Sequence, residues 1–212
     1  MITPARDRFD AAYQTGTPPW VIGEPQPAIV AVEQTGAIRG AVLDVGCGLG
    51  EHTILLTALD YDVLGVDFAP NAIVQARANA AAKGVDARFE VRDALALDAE
   101  PGYDTVVDSA LFHVFGAFGD GADRARYVAS LHRAIRPGGV LHLLALSDAG
   151  RGFGPSVSEQ TVRTAFADGW EIEALDVTTY RGIVGEAHSE ALGLPVGTVV
   201  EEPAWLGRIR RD

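Results

Sequence analysis

The 212-residue chain is 48% hydrophobic, long enough to bury one sizeable core and short for two full-sized domains, so a single domain over residues 1 to 212 is expected. A formal net charge of -12 and a sequence pI near 4.7 oppose the electrostatic footprint that neutralises phosphates, so a small ligand is expected and a nucleic acid is not. No run approaches the ~18 apolar residues of a membrane span, the start has no apolar leader core, and the lone Cys47 cannot form an internal disulfide, which together make the cytoplasm the expected location.

In chain order, residues 1 to 38 carry two weak helical patterns around the turn Thr17-Pro18-Pro19-Trp20, expected to cap a site. Residues 39 to 147 then alternate strand with helix. Short Val- and Leu-rich runs at 41 to 45, 62 to 66, 87 to 91, 105 to 108 and 140 to 146 suit strands buried on both faces. One helix follows a glycine loop with Ile54, Leu55, Ala58 and Leu59 on one face. A second opens at Pro70 and closes with Lys83-Gly84. A third, from about Asp123 to Arg136, turns Val128, Leu131 and Ile135 inward and is stopped by Pro137-Gly138-Gly139. Residues 148 to 212 supply a helix near 158 to 167, its start marked by the capping-box spacing Ser156-x-x-Glu159, and alternating strands at 170 to 179 and 204 to 210. A long irregular stretch containing Gly182, Gly185 and Gly193 joins those strands. The pattern predicts an α/β, Rossmann-like doubly wound sheet of seven strands, mostly parallel with an antiparallel edge hairpin, helices on both faces and an N-terminal helical cap.

In such a sheet ligands sit at the carboxyl ends of the strands, and the loop after the first strand approaches them most closely. Here that loop is Asp44-Val45-Gly46-Cys47-Gly48-Leu49-Gly50. Glycines allow the tight turn, and a dinucleotide is disfavoured because Glu51 sits where the third small residue and a pyrophosphate would be. Asp67 ends the second strand about twenty residues on, where a carboxylate accepts ribose hydroxyls. A small residue in a tight loop explains Cys47 better than a nucleophile does.

These residues, with Gly65-Val66-Asp67, Arg92-Asp93-Ala94 and Arg136-Pro137-Gly138-Gly139, resemble the ordered motifs of class I S-adenosylmethionine-dependent methyltransferases over roughly residues 40 to 147. The resemblance implies that Gly46 and Gly48 pass close to the methionine part of S-adenosylmethionine, with Asp44 holding its amino group. It also implies that Asp67 binds the ribose, Phe68 flanks the adenine, and Asp93 with the Ala94 amide reads the adenine edge. A turn residue at a strand end is the alternative for Asp93.

The segment Asp108-Ser109-Ala110-Leu111-Phe112-His113-Val114-Phe115 follows the fourth strand, at the edge where the transferable methyl is expected. Asp108 is counted among the cofactor contacts, and the Pro-Pro-aromatic signature of nucleic-acid amino-group enzymes is missing. Phe112, Phe115 and Phe118 offer an apolar wall, with Phe153 as an addition. His113 is the candidate general base, since imidazole titrates near neutrality, with a packing histidine as the alternative. His142, inside a strand, is expected in the core, His52 in a first helical turn and His132 on a helix, while His188 has no assigned place.

Together with Leu111 to Phe115, the segment Pro18-Pro19-Trp20-Val21-Ile22-Gly23-Glu24-Pro25-Gln26-Pro27 resembles the thiopurine methyltransferase-like subgroup, and especially bacterial heterocyclic-toxin (benzoquinone) methyltransferases. Members commonly carry Asp where this chain has Val21, which removes that carboxylate. The resemblance implies that Trp20 packs over the cofactor and that the acceptor is a small aromatic or heterocyclic compound. O-methylation of a phenolic or N-hydroxy group, in detoxification or secondary metabolism, is the expected reaction. S-methylation of a thiol or thiopurine, halide methylation and a non-catalytic cofactor-binding protein are the alternatives. No metal is expected, the assembly is a monomer or a homodimer, and sixteen arginines against the one lysine, Lys83, suggest GC-rich bacterial coding.

Overall fold

The computed structural model describes residues 4–15, 18–97, 102–117 and 121–212. Seven strands form one sheet in the order β3-β2-β1-β4-β5-β7-β6: β1 Ala41–Val45, β2 Asp62–Asp67, β3 Arg88–Val91, β4 Tyr103–Ser109, β5 Ile135–Leu146, β6 Trp170–Ile183 and β7 Val199–Arg211. The first five run parallel, and β7 pairs antiparallel with both β5 and β6, as the alternating pattern predicts.

Strand alternation divides the core in two. Val42, Val63, Val107 and Leu144 face one side, against Ile29 and Val32 of α2 (Pro27–Gln34) and Leu56 of α3 (Glu51–Ala58). Leu43, Val45, Leu141 and Leu143 face the other, against Tyr127 and Leu131 of α5 (Ala122–Ala134) and Val162 of α6 (Glu159–Ala165). On the outer flank, α4 (Pro70–Ala82) packs Ile73, Ala76 and Ala80 against Phe89 of β3. α1 (Pro4–Thr15) lies on α4: Asn71 donates from its amide and Nδ2 to Asp10, at 3.1 and 2.7 Å, and Gln75 Nε2 donates to the Tyr13 carbonyl at 2.8 Å.

Three local expectations change. The Pro137-Gly138-Gly139 element lies inside β5 rather than before it, because the chain extends at Ile135 straight after α5. α6 is capped by Ser158, whose Oγ accepts from the Thr161 amide at 3.1 Å, and not by Ser156: Val157 is held extended by a bridge to Ser147 and a bond to the Leu146 carbonyl, so the helix cannot begin sooner. The stretch between the last strands is not irregular throughout, since it holds α7 (Glu186–Leu192), closed by Gly193 at φ +64.

Candidate cofactor and acceptor site

The carboxyl ends of β1, β2 and β4 bring Asp44, Asp67 and Asp108 to one edge, with Asp44 opposite Gly65 and Val107, and Val45 opposite Asp108. The loop after β1 folds back because the Gly46 and Cys47 amides both donate to the Val66 carbonyl, at 2.8 and 2.9 Å. Its glycines are required by space and by backbone. Gly46 and Gly48 have φ of +71 and +54; a Cβ would lie 3.0 Å from the Leu111 side chain at the first and 3.1 Å from the Tyr13 hydroxyl at the second.

Both oxygens of Asp67 receive backbone donors, Oδ2 from the Gly48 amide at 3.0 Å and Oδ1 from Ala69 at 2.9 Å, which fixes the carboxyl beneath the loop. Asp44 Oδ2 accepts from the amide and hydroxyl of Thr53 on α3, at 3.1 and 2.6 Å, and Oδ1 has no partner among the described residues. Burial drives Asp44 and Asp67 up to about 6 and raises Glu51, and the charge of Asp44 adds to the rise at Asp67 and at Glu51. A ligand carrying ammonium and sulfonium charge relieves that crowding, so the residues present fit S-adenosylmethionine. Asp93 is exposed and caps the 3-10 turn Ala94–Ala96 by accepting from Leu95 N at 2.9 Å; its other oxygen has no partner among the described residues, and Ala94 is buried.

An aromatic group covers the loop. Trp20 Nε1 donates to the Tyr13 hydroxyl at 3.0 Å, and Phe9 bridges Trp20 and Phe68 with ring centroids 5.6 and 6.1 Å away. The cap is tied down behind them. The Gln26 amide side chain exchanges two bonds with the Arg181 backbone of β6, at 2.7 and 2.9 Å, and the Gln26 N–H donates to His52 Nε2 at 3.0 Å. Sequence reasoning missed Tyr13, Gln26 and Thr53. The Phe9–Tyr13 spacing, one helical turn apart before the Pro-Pro-Trp turn, was the available signal for Tyr13.

At β4 the expectations need correction. Asp108 is fully buried and its carboxyl is already engaged from within: it accepts from the Leu111 and Phe112 amides and, at 2.8 Å, from the Tyr127 hydroxyl, bonds that shape the turn after β4. Burial raises it to about 7. That turn buries Phe112 completely against Phe166, 5.4 Å between rings, and Phe115 packs on Tyr127 at 4.6 Å. Phe153 lies on the other side of the sheet, stacked on His188 at 5.0 Å. The expected single wall is thus split between two cores, and Phe118 lies outside the described residues.

His113 is buried beside the end of β5, its Nδ1 accepting from the Leu146 amide at 3.0 Å, and desolvation lowers it to about 4. A neutral imidazole that accepts at Nδ1 carries its proton on Nε2. It is a hydrogen-bond donor, and the lone pair a general base needs is already in use. Ala110, three residues earlier, holds φ +75, a conformation non-glycine residues avoid and one concentrated at functional turns. The groove of about 730 Å³ between α5 and α6, lined by Arg124, His132, Thr161 and Trp170, includes none of the predicted site residues. Among the described residues no group of three or more His, Cys, Asp or Glu is placed to hold a metal, and no helix is long and apolar enough to cross a membrane.

A doubly wound sheet with a glycine loop between buried carboxylates defines an enzyme that uses an adenosyl cofactor. Residues 42–139 match the family model of a methyltransferase domain. A 2-heptyl-1-hydroxyquinolin-4(1H)-one methyltransferase of Mycobacteroides abscessus is 32% identical over 186 residues, 79% of this chain and 78% of that protein. Probable thiol methyltransferase 2 of Arabidopsis thaliana is 26% identical over 158 residues, 71% of this chain and 68% of that one. A structure solved for the conversion of a disulfide bond into a thioacetal group during echinomycin biosynthesis superposes with a TM-score of 0.86 at 40% identity, covering 98% of this chain and 93% of that one. The chain belongs to the class I S-adenosylmethionine-dependent methyltransferases, and S-adenosylmethionine is its methyl donor.

Proposed function

We propose that the enzyme methylates a small aromatic or heterocyclic acceptor at an acidic phenolic or N-hydroxy oxygen that arrives already ionised. The observation that carries this reading is the orientation of His113, which offers an N–H through Nε2 and no lone pair to remove a proton. Bound S-adenosylmethionine supplies an electrophilic methyl on a sulfonium. This chain's residues hold and align the reactants: Asp44 takes the ammonium, Asp67 the ribose, Phe68 and Asp93 with Ala94 the adenine, and Trp20 braces the cap above them. His113 then donates to a carbonyl or oxyanion of the acceptor and orients it, and alignment supplies most of the rate. Likeness to the hydroxyquinolone enzyme supports an oxygen acceptor of this class.

A sulfur acceptor is the second reading, favoured by the relative solved for disulfide-to-thioacetal conversion, which is more similar to this chain than the hydroxyquinolone enzyme. A thiolate also needs no base, and a disulfide sulfur accepts the methyl without one, although a thioacetal product then requires loss of a carbon-bound proton. The two readings separate in an assay of phenols and N-hydroxyquinolones of graded acidity against thiols and cyclic disulfides. For oxygen acceptors, the pH at which kcat/KM levels off should move with the acidity of the acceptor. A limb near pH 6 to 7 that stays fixed across acceptors and vanishes in His113→Gln would restore an enzymic base. Turnover of sulfur compounds alone would replace the first reading with the second, and cofactor binding with no turnover at all would leave a non-catalytic binder.

A further inference from the structure

Tyr13 belongs to none of the motifs that mark the cofactor site, yet α1 delivers it to the glycine loop. Its side chain is 8% exposed, and its hydroxyl oxygen lies 3.1 Å from where a Cβ would stand at Gly48. That oxygen already accepts from Trp20 Nε1, while the phenolic proton has no acceptor among the described residues. Asp67 is close enough to act on it electrostatically, but both of its oxygens are occupied by backbone amides. A buried O–H is costly to leave unpaired, and this one points away from the indole that serves its lone pair. Its position is fixed in advance, since the Tyr13 carbonyl is held by Gln75 and Asp10 by Asn71.

The surroundings define the missing acceptor. Asp44, Asp67 and Glu51 make this edge of the sheet anionic, which suits the ammonium and sulfonium of the methyl donor. The same ligand carries an α-carboxylate, and an anion placed among carboxylates needs donors. Ribose hydroxyls bring their own protons to Asp67 and do not need a phenol. We infer that Tyr13 is a cofactor-binding residue whose hydroxyl donates to the α-carboxylate of the methionine part of S-adenosylmethionine, with Trp20 Nε1 setting the direction of that donation. The inference rests on the cofactor assignment and extends it to a residue outside the glycine loop. Burial and the charge of Asp67 hold the phenol protonated well beyond neutral pH, as a donor must be.

The test is calorimetry of wild type and Tyr13→Phe with three ligands: S-adenosylhomocysteine, its decarboxylated analogue, which keeps the amine, and 5′-methylthioadenosine, which has neither group. Tyr13→Phe should weaken S-adenosylhomocysteine by about ten-fold, the size expected for one hydrogen bond to a charged group, and change the other two by less than about two-fold. Because the ligands are compared within one variant, any loss of fold cancels. Equal weakening of all three would make Tyr13 a brace of the cap and overturn the inference, as would no weakening at all. Failure of wild type to bind S-adenosylhomocysteine would sink the cofactor assignment itself, which separates the two failures.

Discussion

The two halves of the crevice are built differently. At the β1 and β2 ends the anchors are local: the glycine loop, Asp67 and the first turn of α3 lie within about two dozen residues, and backbone amides hold the carboxyls in place. At the β4 and β5 ends the parts come from far apart in the chain, with Leu111 and His113 after β4, Leu146 ending β5, Phe153 in the next loop, His188 on α7 and Trp20 in the cap. The first half holds its carboxyls on backbone amides and the Thr53 hydroxyl and leaves Asp44 Oδ1 without a partner among the described residues. The second spends its carboxyl, Asp108, on its own backbone and on Tyr127. One half is encoded by a short motif; the other is assembled by tertiary packing that can diverge while the motif stands.

The sharpest way to break that contrast is to remove one carboxyl from each half. Asp67→Ala takes away the carboxyl proposed to hold the ribose and strands the Gly48 and Ala69 amides, each costing roughly 1–3 kcal/mol when buried and unpaired. The dissociation constant for S-adenosylhomocysteine should rise by about 100-fold or more. A rise below about five-fold would mean that Asp67 only folds the loop, and the halves would be alike.

Asp108→Ala should act on stability instead. It leaves the Tyr127 hydroxyl and the Leu111 and Phe112 amides without their acceptor in a fully buried place, a loss of roughly 3 kcal/mol or more that urea titration would read. Cofactor affinity of the folded variant should stay within about three-fold of wild type. Weakened affinity with unchanged unfolding would return Asp108 to the cofactor contacts.

The same contrast explains what the sequence disclosed. β1 was legible to the residue because a doubly buried parallel strand is a mainly apolar run, here interrupted only by Asp44, and the glycine loop because positive φ and close packing leave glycine little competition. Phe112 and Phe153 were legible as aromatic but not as to direction. The facing of Phe112 depends on Asp108 drawing two amides into the turn, and Phe153 reaches the opposite side of the sheet, against Gly182 and His188. Ser156 satisfied the capping-box spacing, but the bridge between Ser147 and Val157 decided the helix start, a contact ten residues apart that no local pattern records. His113 looked like a base because residue type gives intrinsic acidity, whereas the Leu146 amide and burial set the acidity it has here.

That last point gives the finest test, because native-state histidines and aspartates pull the pH dependence of stability in opposite directions. Asp44, Asp67 and Asp108 are raised to about 6, 6 and 7, so their contribution is present below the unfolded value near 4 and is lost as pH rises through those folded values. His52, His113 and His142 are lowered to about 4, so theirs is present above the unfolded value near 6.5 and is lost as pH falls towards 4. Between about pH 4 and 6.5 the two sets offset one another. His113→Gln removes one histidine, and the amide oxygen of Gln can still accept from Leu146. Relative to wild type, the variant should therefore lose less stability, by roughly 2–3 kcal/mol, when urea unfolding is compared at pH 6.5 and at pH 4.5. Parallel pH profiles for the two proteins would mean that His113 titrates in the folded enzyme near its ordinary value, and a base at the acceptor end of the crevice would again be possible.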